Sequence, residues 1–151
     1  MHRRMLLSLG LLLALVMLVR ASGDVDSGAY TLVTTDDRAE LERGEWKIVS
    51  GSIRGMDLPK EGPVSGEMRL VFKGGVVLVK NIKAEAQRGR FTLNSNATPK
   101  AIDLHIDPKP NPSIYKLEHD TLTLAIGEGT RPSGFTGKDA VVVFILKRVK
   151  P

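Results

Sequence analysis

The 151-residue chain contains no cysteine. That excludes disulfides, thiol nucleophiles, zinc–thiolate sites and lipid attachment through a cysteine. Histidine is scarce: His2, His105 and His119 are the only three. Two histidines beyond the N-terminus, without clustered carboxylates, do not make a metal site. Neither a metal nor another cofactor is expected. Aromatic residues make up 5%, with a single tryptophan. No basic cluster is interleaved with aromatics, so nucleic acid is not an expected partner. Serines occur without the G-x-S-x-G turn of a nucleophile elbow. Gly74-Gly75 and Gly127-Glu128-Gly129 do not open helices, which argues against a phosphate-cradling loop. The carboxylates are scattered. Nothing in these patterns amounts to a catalytic constellation, and an enzyme is not expected.

No apolar run reaches the roughly 20 residues of a membrane-spanning helix. The longest, Met5–Val19, has 15. It follows Met1-His2-Arg3-Arg4 and precedes Arg20-Ala21-Ser22-Gly23. A basic start, a short leucine-rich core and small residues after it read as a secretory signal peptide over residues 1–21, with cleavage after Ala21. A membrane association would come only through an uncleaved signal. Three of the 22 basic residues lie in this segment, leaving 19 against 17 acidic ones, a net charge of +2. The expected location is extracytoplasmic, either periplasmic or secreted.

Residues 22–35 are polar and small and read as a linker. Residues 36–151 form one domain, large enough for a modest core. Asp36–Arg43 is the one helical candidate, with Thr35 as its cap, acids in its first turn and Gly44 at its end. The remainder reads as strands. Met68, Leu70 and Phe72 alternate with polar or exposed-type neighbours, and Gly74-Gly75 makes a two-residue hairpin turn into Val76–Lys80. Gly89–Leu93, Ile102–Ile106, Ile114–Leu117, Thr121–Ile126 and Val141–Val149 follow. About eight short strands joined by Gly-, Pro-, Asn- and Asp-rich turns argue for an antiparallel sandwich or barrel. Asp107–Pro112 carries three prolines and is read as loop, since each removes a ladder donor. Gly127–Gly137 is a second long loop. Both are placed at strand ends, where they would either rim an opening or serve as plain connections.

Parity suggests closure. An inward Trp46 takes Ile48 and Ser50 inward with it. On the last strand Arg148, Leu146, Phe144 and Val142 share a face. An arginine can end an inner face if its guanidinium lies on an aromatic ring, an arrangement worth roughly 0.5–2 kcal/mol. Joining the first and last strands also removes two open edges. The expected inner face is Trp46, Ile48, Met68, Leu70, Phe72, Phe91, Leu93, Ile102, Leu104, Leu122, Leu124, Ile126, Phe144 and Leu146. Gly44, Trp46 and Arg148 are the expected closure residues.

The pieces Gly44-Glu45-Trp46-Lys47-Ile48-Val49-Ser50, Pro99-Lys100-Ala101-Ile102-Asp103-Leu104, Ile114-Tyr115-Lys116-Leu117, Asp120-Thr121-Leu122-Thr123-Leu124, Arg131-Pro132-Ser133-Gly134-Phe135 and Leu146-Lys147-Arg148 carry a resemblance. In this order they look like a lipocalin-like domain family of uncharacterised function expanded in planctomycete bacteria. A short helix, G-x-W on the first strand and a late basic residue on the last also resemble the wider lipocalin and calycin pattern. The resemblance implies a small extracytoplasmic barrel: all-β, antiparallel, eight-stranded and lipocalin-like, with one short N-terminal helix.

Two functions follow as expectations. One is a non-enzymatic binding module for a small apolar ligand or a protein surface, with Trp46, Ser50, Tyr115 and Arg131 as candidate ligand contacts. The other is a structural or envelope protein with a filled core. An eight-stranded barrel is compatible with either, being just wide enough for its own side chains or one small ligand. For export, Edman or mass-spectrometric sequencing of protein secreted by its host should give a mature N-terminus at Ser22. A protein that retains Met1–Ala21 would refute the cleaved signal.

Overall fold

The computed structural model describes residues 36–62, 64–81, 84–106 and 109–150. The signal segment, the linker and Thr35 lie outside these residues. One helix and nine strands follow in order: α1 (Asp37–Glu42), β1 (Glu45–Ile53), β2 (Met56–Asp57), β3 (Arg69–Lys73), β4 (Val76–Asn81), β5 (Ala84–Asn94), β6 (Ala101–His105), β7 (Asn111–Glu118), β8 (Thr121–Ile126) and β9 (Val142–Val149). Each strand from β3 to β9 pairs antiparallel with the next. β1 pairs with both β3 and β9, which closes a barrel of eight strands. β2 is a two-residue return from the far end of β1.

The barrel forms because one face of each strand is apolar at period two. Ten of the fourteen residues expected inside are buried in the central apolar cluster with Leu41, Val77, Val79 and Tyr115, and Met68, Leu93, Ile126 and Phe144 pack against it, partly buried. Phe72 meets Phe91 edge to face, with ring centroids 5.1 Å apart. Gly74 and Gly75 both hold positive φ, 58° and 77°, as the tight β3–β4 turn requires.

Three details correct the sequence reading. Asp36 takes the helix N-cap, its side chain accepting from the Arg38 N–H at 3.0 Å. β7 begins at Asn111, so Pro112 lies within a strand. It sits past the last β8 residue, Ile126, and contributes its carbonyl, which accepts from the Gly127 N–H at 3.0 Å. Near a strand end a proline costs the ladder little. The third correction concerns parity. A β-bulge lies between Ile48, opposite Leu146, and Ser50, opposite Ile145. Two β1 residues there oppose one β9 step, so every later side chain changes face. Ser50 therefore turns outward and is exposed. Gly51 takes the position opposite Phe144 instead.

The loop between β8 and β9 does not rim the interior. It folds over the outside of β7, β8 and β9, where Ala140 and Phe135 pack with Ile114, Ala125 and Val143 in a second apolar cluster. Arg131 pins it, donating to the Ser113 carbonyl at 2.6 Å and to Asp103 at 2.7 Å. This small outer layer gives β7–β9 apolar burial on both faces.

The bulge makes Gly51 a sensitive position. A Cβ there would lie 2.5 Å from the Val143 carbonyl oxygen and 2.8 Å from a Phe144 ring carbon. Gly51→Ala should destabilise the barrel by about 1–3 kcal/mol through overpacking, measured by urea denaturation. Wild-type stability in that variant would show that β1 and β9 are not so closely apposed.

Candidate functional site

The sequence-derived closure residues meet at one end of the barrel, and α1 covers that end. A six-residue helix is too short to persist alone and must be held by tertiary contacts. Leu41 is fully buried in the central cluster. The Leu41 carbonyl accepts from the Trp46 indole N–H at 2.9 Å. The Arg38 guanidinium carbon lies 5.5 Å from the centre of the Phe91 ring. Glu42 accepts from the Gly74 N–H at 3.0 Å. Asp37 accepts from the Tyr115 hydroxyl and the Lys100 ammonium, each at 2.7 Å. These four of the six helical residues thus bond or pack against the barrel.

Arg148 organises the seam. It lies directly opposite Trp46 in the β1–β9 register, and its guanidinium carbon is 4.4 Å from the indole centroid. Its Nε donates to Asp120 at 2.9 Å, and Nη2 donates to the Glu40 carboxylate at 3.2 Å. Nη1 donates to the Glu40 carbonyl at 2.9 Å and to the Arg43 carbonyl. These carbonyls end α1, where helical carbonyls lack helical partners. Only 10% of the Arg148 side chain is exposed. Arg43 and then Arg148 hold the Glu40 carboxyl below its usual pKa. Burial, aided by the bond to Asp37, pushes the Tyr115 phenol well above its ordinary value, so the hydroxyl stays protonated.

The four candidate ligand contacts do not converge. Trp46 is fully buried at the helix end. Tyr115 is also interior, and its hydroxyl is committed to Asp37. Ser50 and Arg131 lie on the outside, at different places. The bulge was not legible because Ser50-Gly51-Ser52 carries no apolar pattern from which to read a parity change. The roles of Asp37, Glu40, Asp120 and Lys100 were also missed. Each is a surface-type residue with at least one partner far away in sequence.

Surface recesses lie at the β8–β9 loop near Arg54 and Glu128, beside α1 near Lys100 and Leu117, and beside the seam. The last, of ≈ 770 Å³, is lined by Arg43, Gly44, Glu45, Arg69, Asp120, Arg148, Val149 and Lys150. At the opposite end of the barrel Val64, Met68, Ile106, Ile126 and Phe144 are only partly buried against the central cluster. No helix among the described residues is long and apolar enough to cross a membrane.

These features define a closed eight-stranded antiparallel barrel, sealed at one end by a helix that a buried arginine holds in place. The chain matches no family model, no curated protein and no solved structure.

The seam supports a quantitative test. Trp46→Ala should cost about 3–5 kcal/mol by leaving a cavity, and Arg148→Ala about 1–3 kcal/mol by leaving the helix-end carbonyls without their donor. The double mutant should cost less than the sum, with a coupling of about 0.5–2 kcal/mol. Additive denaturation midpoints would show that the indole and guanidinium do not interact.

Proposed function

We propose that the chain is an exported, non-catalytic, lipocalin-like binding module. Its interior supplies shape and apolar surface, with no reactive groups placed for chemistry. The hydrogen-bonding side chains of the inner face support this. Trp46 bonds the Leu41 carbonyl, Tyr115 bonds Asp37, and Ser113 bonds the Asn111 carbonyl at 3.0 Å. Each is engaged in holding the fold. The sequence resemblance, the signal-like N-terminus and the shape of the barrel favour the same reading.

The observation that carries ligand binding is the group of partly buried apolar side chains at the end that α1 does not cover. At the helix end α1 caps the wholly buried Leu41, Trp46, Phe72 and Leu122, with Leu93 and Leu117 partly buried beside them. At the other end the five partly buried apolar side chains stand between the interior and solvent. A small apolar group, from a lipid-like molecule or a protein side chain, docks there. Its gain is the removal of apolar surface from water, at roughly 25 cal/mol per Å². Specificity comes from the shape of the rim.

A second reading is a filled barrel that acts only through its outer surface. The large, fully buried residues Trp46, Tyr115, Phe72, Phe91, Ile48 and Ile102 favour it, because they already occupy the interior. The two readings part at Phe144. In a Phe144→Trp variant, with Trp46 replaced by Phe to remove background, a fatty acid or isoprenoid docking at the rim should shift the fluorescence. Native mass spectrometry of protein from its own host should show an adduct. An unresponsive fluorescence together with a bare mass would overturn the rim-binding reading and leave the filled barrel.

A further inference from the structure

We infer that the outer face of β9, β1, β3 and β4 binds an extended acidic polysaccharide, a chain of uronate sugars, along a line of cations set by strand register. The inference is independent of the apolar rim. Lys147 stands opposite Lys47, Lys47 opposite Arg69, and Arg69 opposite Lys80. Four cations therefore occupy one line across four adjacent strands, about 4.8 Å apart. Like charges directly opposite one another destabilise a sheet. A surface serving solubility alone would intersperse the signs.

Compensation within the fold is partial. Glu45, one pleat along, accepts from Lys80 at 2.6 Å and from Arg69 at 3.1 Å. Those two bonds, with Lys80 first, hold its carboxyl below the usual range. Glu67, two residues before Arg69, borders the field and is itself engaged. Lys147 donates to a neutral group, the Thr121 hydroxyl, at 2.5 Å. Lys47 makes no ion pair among the described residues. The field widens over the same face through Lys73, opposite Val76, and Arg88 and Arg90, opposite Leu78 and Val76. These three also lack ion-pair partners among the described residues. The recess beside the seam is lined by Arg43, Arg69, Arg148 and Lys150 together with Glu45 and Asp120.

The geometry selects the partner. The line runs across the strands and so follows the curvature of the barrel, which suits a flexible chain better than a flat surface. A uronate polymer carries one carboxylate per sugar, a repeat of the same order as the strand spacing. Lysine and arginine stems, with Val71 and Leu78 between them, offer apolar surface to sugar rings. A bilayer would call for protruding apolar side chains. Val49 and Ile145, beside Lys47 and Lys147, are exposed by only 39% and 37%, and the protruding Met56 lies beyond the far end of β1. Single-stranded nucleic acid would call for aromatic stacking platforms, and the strand positions that form this face hold none.

Fluorescein-labelled oligogalacturonate titrated with the full exported protein tests the inference by anisotropy. Neutral dextran, an oligothymidylate of matched charge and phosphatidylglycerol vesicles serve as competitors. We expect binding that weakens linearly in log–log form as salt rises, since counterions are released. Lys47→Gln with Lys147→Gln should lower affinity about tenfold and flatten the salt slope. Its melting temperature should hold or rise, because an opposed like-charge pair is gone. Lys47→Arg with Lys147→Arg should retain binding, as should Lys60→Gln with Lys138→Gln. Absence of oligogalacturonate binding, indifference to the Lys47/Lys147 change, or equal or better binding of the oligothymidylate or the vesicles would overturn it.

Discussion

The guanidinium of Arg148 is the constraint on which the helix end depends. It lies on the indole of Trp46 across the β1–β9 seam and bonds two carbonyls and a carboxylate at the end of α1. One side chain thereby couples barrel closure to helix docking. Neither event would be secure alone, because a six-residue helix has no independent stability and an unpaired sheet edge invites other strands. The indole contributes from the other side, since its N–H donates to Leu41 of the same helix. Trp46, Arg148 and α1 form a linked set of polar contacts, completed by Asp120. This explains how a charged side chain can be only 10% exposed: its charge is met by Glu40 and Asp120, and its donors are directed at carbonyl oxygens.

That arrangement separates the two ends of the barrel. Bulky side chains and α1 fill the helix end. The other end carries partly buried apolar residues, the bulged segment of β1 and the short return β2. Bulges commonly re-aim side chains where a strand nears the end of its pairing. Here the bulge removes Ser50 from the inner face and puts Gly51 against β9, where only a residue without a Cβ fits. The β8–β9 loop covers the neighbouring outer surface, so its Arg131 serves packing on that side of the sheet.

The cationic line shows how register can create a surface that linear sequence hides. Lys47, Arg69, Lys80 and Lys147 are dispersed over a hundred residues, and none has a basic residue beside it except Lys147. The near-balanced charge of residues 22–151 concealed the segregation. Acids collect instead on and before α1, at Asp36, Asp37, Glu40 and Glu42. A domain of small net charge can therefore present a strongly one-signed face.

What the sequence determined by itself was the pattern of burial and its consequence. Period-two alternation set the strands and the inner apolar set, Gly74-Gly75 set a hairpin, and Trp46 with Arg148 indicated where the sheet joins. These are local signals, governed by pleat geometry and backbone conformational limits. Tertiary structure alone decided what depends on register and on distant partners. It turned Ser50 outward through a bulge that no apolar periodicity announced. It engaged Tyr115 with Asp37, 78 residues away, folded Arg131 onto the outer sheet, and aligned four separate cations. The physical reason is common to all four. A polar or charged side chain states its chemistry in the sequence, but its direction and its partner are set only when the strands around it are in register.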